Sequence, residues 1–402
     1  MINIAVLGYG TVGSGVVEVI NTNQESINKR AGDEINIKYV LDLRDFPGDP
    51  VQEKIVHDYN IILNDPEIEV IAEVMGGVEP AYTFVKNALL AGKSVCTSNK
   101  ALVAKHGAEL LQIARDKHRN FLFEASVGGG IPIIRPLNQS LTADEIYEIT
   151  GILNGTTNYM LTKMNKEGLS YGKVLAEAQE LGYAEKDPTA DVEGYDACRK
   201  IAILASLAFS ETVNFEDIYT EGITKITDKD FKYANKMNCA IKLFGKCKKD
   251  GDKFFAAVMP VMIGQTHPLY PVEGVLNGIL VRGNVIGDVM FFGSGAGKLP
   301  TASAVVADIV DAVRHLNVTV TSMWTSKKLE LENFEDSVHQ FFVRVKADSE
   351  NEVKEVFGAV DKITVEDLTD EFAFVTEPMT EKAFAEKAAK VPGILSRIRK
   401  ED

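Results

Sequence analysis

Apolar residues recur along this chain in two registers, and each switch between them marks a new element. Ile2 to Leu7 is a short apolar run suited to a buried strand, and beyond it Val12, Val16, Val19 and Ile20 fall on one side of a helix. Between the two stand Gly8, Gly10 and Gly13 in G-x-G-x-x-G spacing. Strand, glycine turn and helix in this order predict a dinucleotide site. Gly8 permits the tight bend, Gly10 lets the backbone approach a pyrophosphate, and Gly13 lets the helix pack on the strand, with Thr11 and Val12 opening the helix at the phosphates. A plain glycine-rich turn carries the same three residues; the strand before and the helix after favour the phosphate reading.

The alternation continues. Residues 34–43 predict a second strand with Asp42 still inside its β pattern and Arg44 just past its end. Asp42 there suits a ribose 2′-hydroxyl and Arg44 a 2′-phosphate, so the two point to different cofactors; the position of Arg44 tilts the reading towards NADP, with NAD as the other choice. Residues 69–77 form a strand ending in Gly76 and Gly77, 80–92 a helix closed by Gly92, 93–103 a strand and turn, 106–117 a helix, and 121–129 a strand. About five βα units predict a doubly wound, Rossmann-type α/β domain over residues 1–135. Ligands of such sheets lie beyond the carboxyl ends of the strands, which brings Gly76, Gly77, Ser98, Asn99 and Lys100 to the nicotinamide side.

Three glycines and two prolines in 125–136 mark a crossing into an α+β substrate and dimerisation domain over 136–295. Its elements are a strand, turn and helix start in 147–161, helices at 170–182 and 194–209, and strands at 253–263 and within 273–293. The turn at Gly155, Thr156 and Thr157 serves either a polar substrate contact or ordinary helix capping. A second glycine loop with Gly295 feeds a helix striped by Val305, Ile309, Val313 and Leu316, which is expected to return to the first domain and complete it over about 296–320. Residues 338–402 read as strand, helix, two strands, helix and a short last strand, a small βαββαβ module.

A formal charge of −15 with no compensating basic block excludes nucleic acid and anionic membrane as main partners, leaving small polar metabolites. Cys96, Cys198, Cys239 and Cys247 form no CxxC pair, and no secretory segment opens the chain, so a reducing cytoplasm is expected. The six histidines lack metal-ligand spacing, and His315 reads as a favourable charge near a helix end.

The densest chemistry lies in Leu181–Lys200, where Glu185, Asp187, Asp191, Glu193 and Asp196 precede Lys200, a lysine entering the apolar run IAILASLAF. Acids in that number suit an ammonium group, and desolvation there favours a neutral lysine able to move protons. The bland alternative is a loop of solvated acids and an exposed i,i+4 pair of Asp196 with Lys200.

With GYGTVG, EVMGG, TSNKAL, FEASVGGGIPII, LNGTTNYML, LGYAEKDPTADVEGYDACRKIAIL and GSGAGKLPTASAVVAD in order, the chain closely resembles the homoserine dehydrogenase family over nearly all of residues 1–320. The resemblance implies interconversion of homoserine and aspartate 4-semialdehyde with a nicotinamide cofactor, in threonine and methionine biosynthesis. By motif position it implies that Lys200 and Lys100 are catalytic, and that Glu185, Asp191 and Asp196, with Gly182 and Tyr183, hold substrate. Gly8, Gly10, Thr11, Val12, Gly13, Arg44, Gly76, Ser98, Asn99, Lys100 and Gly295 would contact the cofactor. It also implies a Na+ or K+ ion at Glu124, Val127, Gly129 and Ile131, bound mostly through carbonyls, and a homodimer or homotetramer.

Two departures from the family pattern stand out. Lys186 replaces a frequent proline beside Glu185, and the C-terminal unit resembles an ACT domain whose usual DxPG-like loop is replaced by ADSENEV. A threonine effector is therefore a separate expectation from the activity. Two rival readings share the glycine loop and lysines: another NAD(P)-dependent amino-acid dehydrogenase, separable by substrate profiling, and a non-enzymatic dinucleotide or amino-acid sensor, which would bind cofactor without turnover.

Overall fold

The computed structural model describes residues 1–401. Its first sheet has six parallel strands in the spatial order Ile55–Val56, Ile35–Leu41, Ile2–Leu7, Ile68–Glu73, Ser94–Thr97, Phe121–Leu122. Ile4–Leu7 and Val70–Ala72 are buried on both faces, as a parallel sheet with helices on each side requires. The strand order reverses between Ile2–Leu7 and Ile68–Glu73, and that switch point opens a crevice at the strands' carboxyl ends. The helix Lys298–Arg314 packs on the helix Thr11–Thr22, so the expected return of the chain to the first domain is present. Gly15 makes the close approach feasible, because a methyl group there would stand 2.9 Å from the Lys298 carbonyl oxygen.

The second sheet has ten strands, eight of them in the order Gly287–Ser294, Leu276–Gly283, Ile146–Ile152, Cys239–Asp250, Lys253–Gly264, Ile394–Glu401, Val338–Lys346, Glu371–Val375. The helix Tyr195–Phe209 packs on the strands Ile146–Ile152, Cys239–Asp250 and Lys253–Gly264 and, from the other side, on the helix Lys100–Asp116. No helix among the described residues is long and apolar enough to cross a membrane.

Four expectations are corrected. The second strand ends at Leu41, so Asp42 lies past its end and not inside it. The strand expected over 121–129 stops at Leu122, because Glu124 turns its carboxylate back onto the amides of Ile133, Ile134 and Arg135 and a 3-10 turn takes over. Cys239–Asp250, with no strand expected, is a twelve-residue strand; its lysines hide the pattern, and the buried Lys242 is accommodated by its ammonium donating to the Val272 carbonyl. In the C-terminal unit, residues 361–368 hold only an isolated bridge, Ile363 to Ala373, and the last strand is eight residues long. That strand pairs in parallel with Lys253–Gly264 through Val261, Met262 and Ile263, so the unit extends the second sheet.

Candidate active site

At the first crevice, each glycine of the turn meets a specific steric demand. Gly8 has φ +99°, a methyl on Gly13 would lie 1.9 Å from the Gly8 oxygen, and Gly10 has open space before it. The helix Thr11–Thr22 has no side-chain cap at Gly10, so its first amides are left for an anion. A cavity of about 580 Å³ adjoins it, lined on one side by Gly10, Asp42 and Arg44 and on the other by Gly76, Pro80 and Phe84. These features fit a dinucleotide. Asp42 accepts from the Tyr9 amide at 2.8 Å and from Arg44 Nε at 2.9 Å, and the guanidinium holds its carboxyl well below the usual range. Arg44 is thus paired, and because the strand ends at Leu41 both residues lie past it, which removes the positional reason for preferring Arg44 over Asp42.

Gly76 and Gly77 turn with φ +86° and +74°, and Asn99 Nδ2 donates to the Gly77 carbonyl while Asn99 Oδ1 caps the Leu102 amide at 3.1 Å. That cap starts the helix Lys100–Asp116 and fixes Lys100 at its first position, with Ser98 just before. Beneath them Glu73, a residue missed in the sequence, is fully buried and accepts from Thr97 Oγ1 at 2.6 Å and the Met75 amide at 2.8 Å. Burial raises its pKa. An acid closing the apolar run EVIAEV was the available signal.

Gly194, with φ +85°, opens the helix Tyr195–Phe209 and puts Asp196 in its first turn. Asp196 Oδ1 lies 2.6 Å from Lys100 Nζ and its Oδ2 2.9 Å from Lys200 Nζ. Lys200 also donates to the Leu153 carbonyl at 2.7 Å. Asn154 Nδ2 donates to Asp191 at 2.7 Å and to Asp196 at 3.0 Å, while its Oδ1 caps the Thr157 amide at 2.8 Å. This asparagine thus caps the helix Gly155–Glu167 and holds two acids as well. Burial lowers the Lys200 pKa, Asp196 opposes that, and Lys100 reinforces it. Asp196 itself is held well below its ordinary range by the two lysines, against its burial, and burial raises Asp191. The exposed i,i+4 pair is excluded: Asp196 and Lys200 are buried.

Not every expected residue joins this cluster. Gly182, Tyr183 and Glu185 lie on an exposed loop, tied to it where Thr156 Oγ1 donates to the Tyr183 carbonyl at 2.6 Å. Gly295 lies in the second glycine loop, against Gly129. Glu124, Val127, Gly129 and Ile131 line the interdomain crossing, where all three amides received by Glu124 occupy its carboxylate and leave backbone carbonyls for any cation.

A nucleotide crevice ending beside a lysine–carboxylate–lysine chain, with Asp196 and Lys200 buried and Lys100 partly open to solvent, defines a nicotinamide-dependent oxidoreductase. Two family models match: "Homoserine dehydrogenase, NAD binding domain" over residues 8–124 and "Homoserine dehydrogenase" over 132–310. The homoserine dehydrogenase of Bacillus subtilis is 40% identical over 370 residues, covering 90% of this chain and 84% of that protein. The crystal structure of a homoserine dehydrogenase from Thiobacillus denitrificans superposes with TM-score 0.93 at 34% identity, covering 100% of this chain and 98% of the other. A hyperthermophilic archaeal homoserine dehydrogenase in complex with NADPH matches with TM-score 0.65 at 29% identity, over 77% of this chain and 97% of that one. The chain belongs to the homoserine dehydrogenase family and is an NAD(P)-dependent oxidoreductase.

Proposed function

We propose that L-homoserine and L-aspartate 4-semialdehyde are interconverted between the two domains, with Lys200 moving the proton and Lys100 orienting the reacting oxygen. The dinucleotide, when bound, supplies the hydride acceptor or donor. Oxidation of the alcohol requires that its hydroxyl proton leave as the carbon loses hydride, and Lys200, desolvated and lowered in pKa, accepts it in the neutral form. Asp196 keeps both lysine nitrogens on one side of the substrate, and Asp191 and Glu185, with Gly182 and Tyr183, receive the substrate ammonium. The observation that carries this reading is the single Asp196 carboxylate bridging Lys100 and Lys200 at 2.6 and 2.9 Å.

The finer readings follow from the same residues. NADP use requires Arg44 to leave Asp42 for the 2′-phosphate, whereas NAD leaves that pair intact, so the site takes either cofactor, NADP through Arg44 and NAD through Asp42. Na+ or K+ sits on the carbonyls of Glu124, Val127, Gly129 and Ile131, an all-oxygen set suited to a hard cation. The chain assembles as a homodimer or homotetramer in the cytoplasm, and threonine acts through residues 338–402, which a rate unchanged by threonine would disprove.

The deciding experiment follows reduced-cofactor absorbance with aspartate semialdehyde, NADPH and NADH side by side, for wild type, Lys200→Met, Lys100→Met and Lys200→Arg. Each variant is expected to bind cofactor and to lose turnover by about 10²-fold or more, the scale of a lost general acid or base. Near-normal turnover in folded Lys200→Met rejects the assignment.

A further inference from the structure

Asn277 belongs to none of the groups described so far. It lies on the strand Leu276–Gly283, opposite Gly293 on one side, and the register on the other pairs Gly278 with Ile152, which brings Asn277 beside Leu153. Leu153 is the residue whose carbonyl anchors Lys200. Asn277 is 1% exposed, and its Oδ1 has no hydrogen-bond partner. Its carboxamide lies against the second glycine loop: a methyl built on Gly295 would stand 2.0 Å from Nδ2, 2.2 Å from Cγ and 2.7 Å from Oδ1, and one on Gly155 would stand 3.6 Å from Oδ1. A buried acceptor without a donor is thus set between the turn that precedes the substrate-side helix and the loop that leads back to the dinucleotide domain.

Buried polar atoms are rarely left unpaired, and an orphan beside a reaction site marks where a ligand brings its partner. The missing partner must be a hydrogen-bond donor. Substrate and cofactor offer three: the substrate hydroxyl, whose proton goes to Lys200 in the reading above, the substrate ammonium, and the carboxamide of the nicotinamide. A charged ammonium has the carboxylates of Asp191 and Asp196 nearby, whereas a neutral amide suits a neutral acceptor. Gly295 also opens the loop into the helix Lys298–Arg314, which is packed against the helix that begins at the phosphate turn.

We infer that Asn277 is a specificity-determining residue whose Oδ1 accepts a hydrogen bond from the nicotinamide carboxamide, orienting the ring for hydride transfer. The inference rests on the dinucleotide reading above. Its test measures binding by fluorescence for NADPH or NADH, whichever is tighter, and for the matching reduced 3-acetylpyridine analogue, which keeps the ring carbonyl but lacks the N–H donor. Wild type is expected to bind the analogue about five- to tenfold more weakly, the scale of one hydrogen bond. Asn277→Leu is expected to bind both dinucleotides equally, and Asn277→Asp, which keeps an acceptor, to discriminate again; the KM for homoserine stays unchanged. Equal affinities in wild type overturn the inference even if no variant folds. So does an Asn277→Leu variant that raises the homoserine KM alone, which assigns the donor to the substrate, or one that changes nothing, which leaves the oxygen to an internal water. Failure of every dinucleotide to bind rejects the underlying cofactor reading instead.

Discussion

Asp196 is the residue on which both lysines depend, and its two oxygens do different work. Oδ2 engages Lys200 within one helix, one turn on, whereas Oδ1 reaches Lys100 across the domain junction. Burial lowers the Lys200 pKa from its ordinary value of 10.5, and Asp196 raises it. Alcohol oxidation needs neutral Lys200, so its rate should rise with pH through that pKa; aldehyde reduction needs the charged form and should fall through the same pKa. Asp196→Asn removes the group that favours the cation, so the inflection should move to lower pH in both directions, with kcat reduced about 10²-fold through misplacement of the lysines. Rate profiles over pH for both directions are the check. Slopes of equal sign, or an inflection that rises in Asp196→Asn, would falsify the role of Lys200.

At the scale of elements, the helices Lys100–Asp116 and Tyr195–Phe209 both begin at the site, and their spacing is held farther along by Trp324. This indole packs on Gly107 of the first helix and donates from Nε1 to Thr212 Oγ1 at 3.0 Å, just past the end of the second. A methyl on Gly107 would lie 2.6 Å from Trp324 Cη2. Gly107→Ala should therefore destabilise by about 1–3 kcal/mol, as overpacking does, and lower kcat by shifting Lys100. Trp324→Phe, which shortens the ring, should recover part of both losses in the Gly107→Ala background. Urea midpoints and kcat for the four proteins test it, and purely additive losses would remove the wedge. The helix Tyr195–Phe209 was legible because its apolar stripe is local, and so were the glycine turn and the acids before Lys200, whereas Lys100–Asp116 was expected only from residue 106, its first turn being read as strand and turn. What was hidden depends on distant partners. Lys242 broke the strand pattern because its acceptor, the Val272 carbonyl, is thirty residues away. Asp42 read as interior because nothing local shows that the strand stops at Leu41, where the Tyr9 amide takes over. The Asn154 bridge to Asp191 and Asp196 has no signature beyond an N-cap.

At the scale of the molecule, the C-terminal unit is joined to the catalytic half by more than the strand pair. Arg399, on the last strand and fully buried, engages Glu381 of its own unit and donates to Glu221 of the substrate domain at 2.6 Å. Its guanidinium also lies over the rings of Tyr219 and Phe334, at 5.3 and 5.0 Å from their centres. His339 beside this cluster is pushed down to about 3 by burial and then by Arg399, so it stays neutral and adds no rival charge at working pH. Removing one member of such a buried set strands the others. Arg399→Met leaves the buried Glu381 without its cation, whereas the partly exposed Glu221 keeps Arg397 at 3.4 Å, and the expected loss is about 3 kcal/mol. The loss should come from the stranded Glu381 more than from missing packing, because the methionine keeps most of the apolar stem on the two rings. Adding Glu381→Met should then restore stability towards the wild-type value, since it deletes the more deeply buried acid. Urea unfolding of the wild type, the single variant and the pair measures this. If Arg399→Met is neutral, or the second substitution deepens the loss, the junction is held by strand pairing and ring packing alone, and the charges are incidental to it.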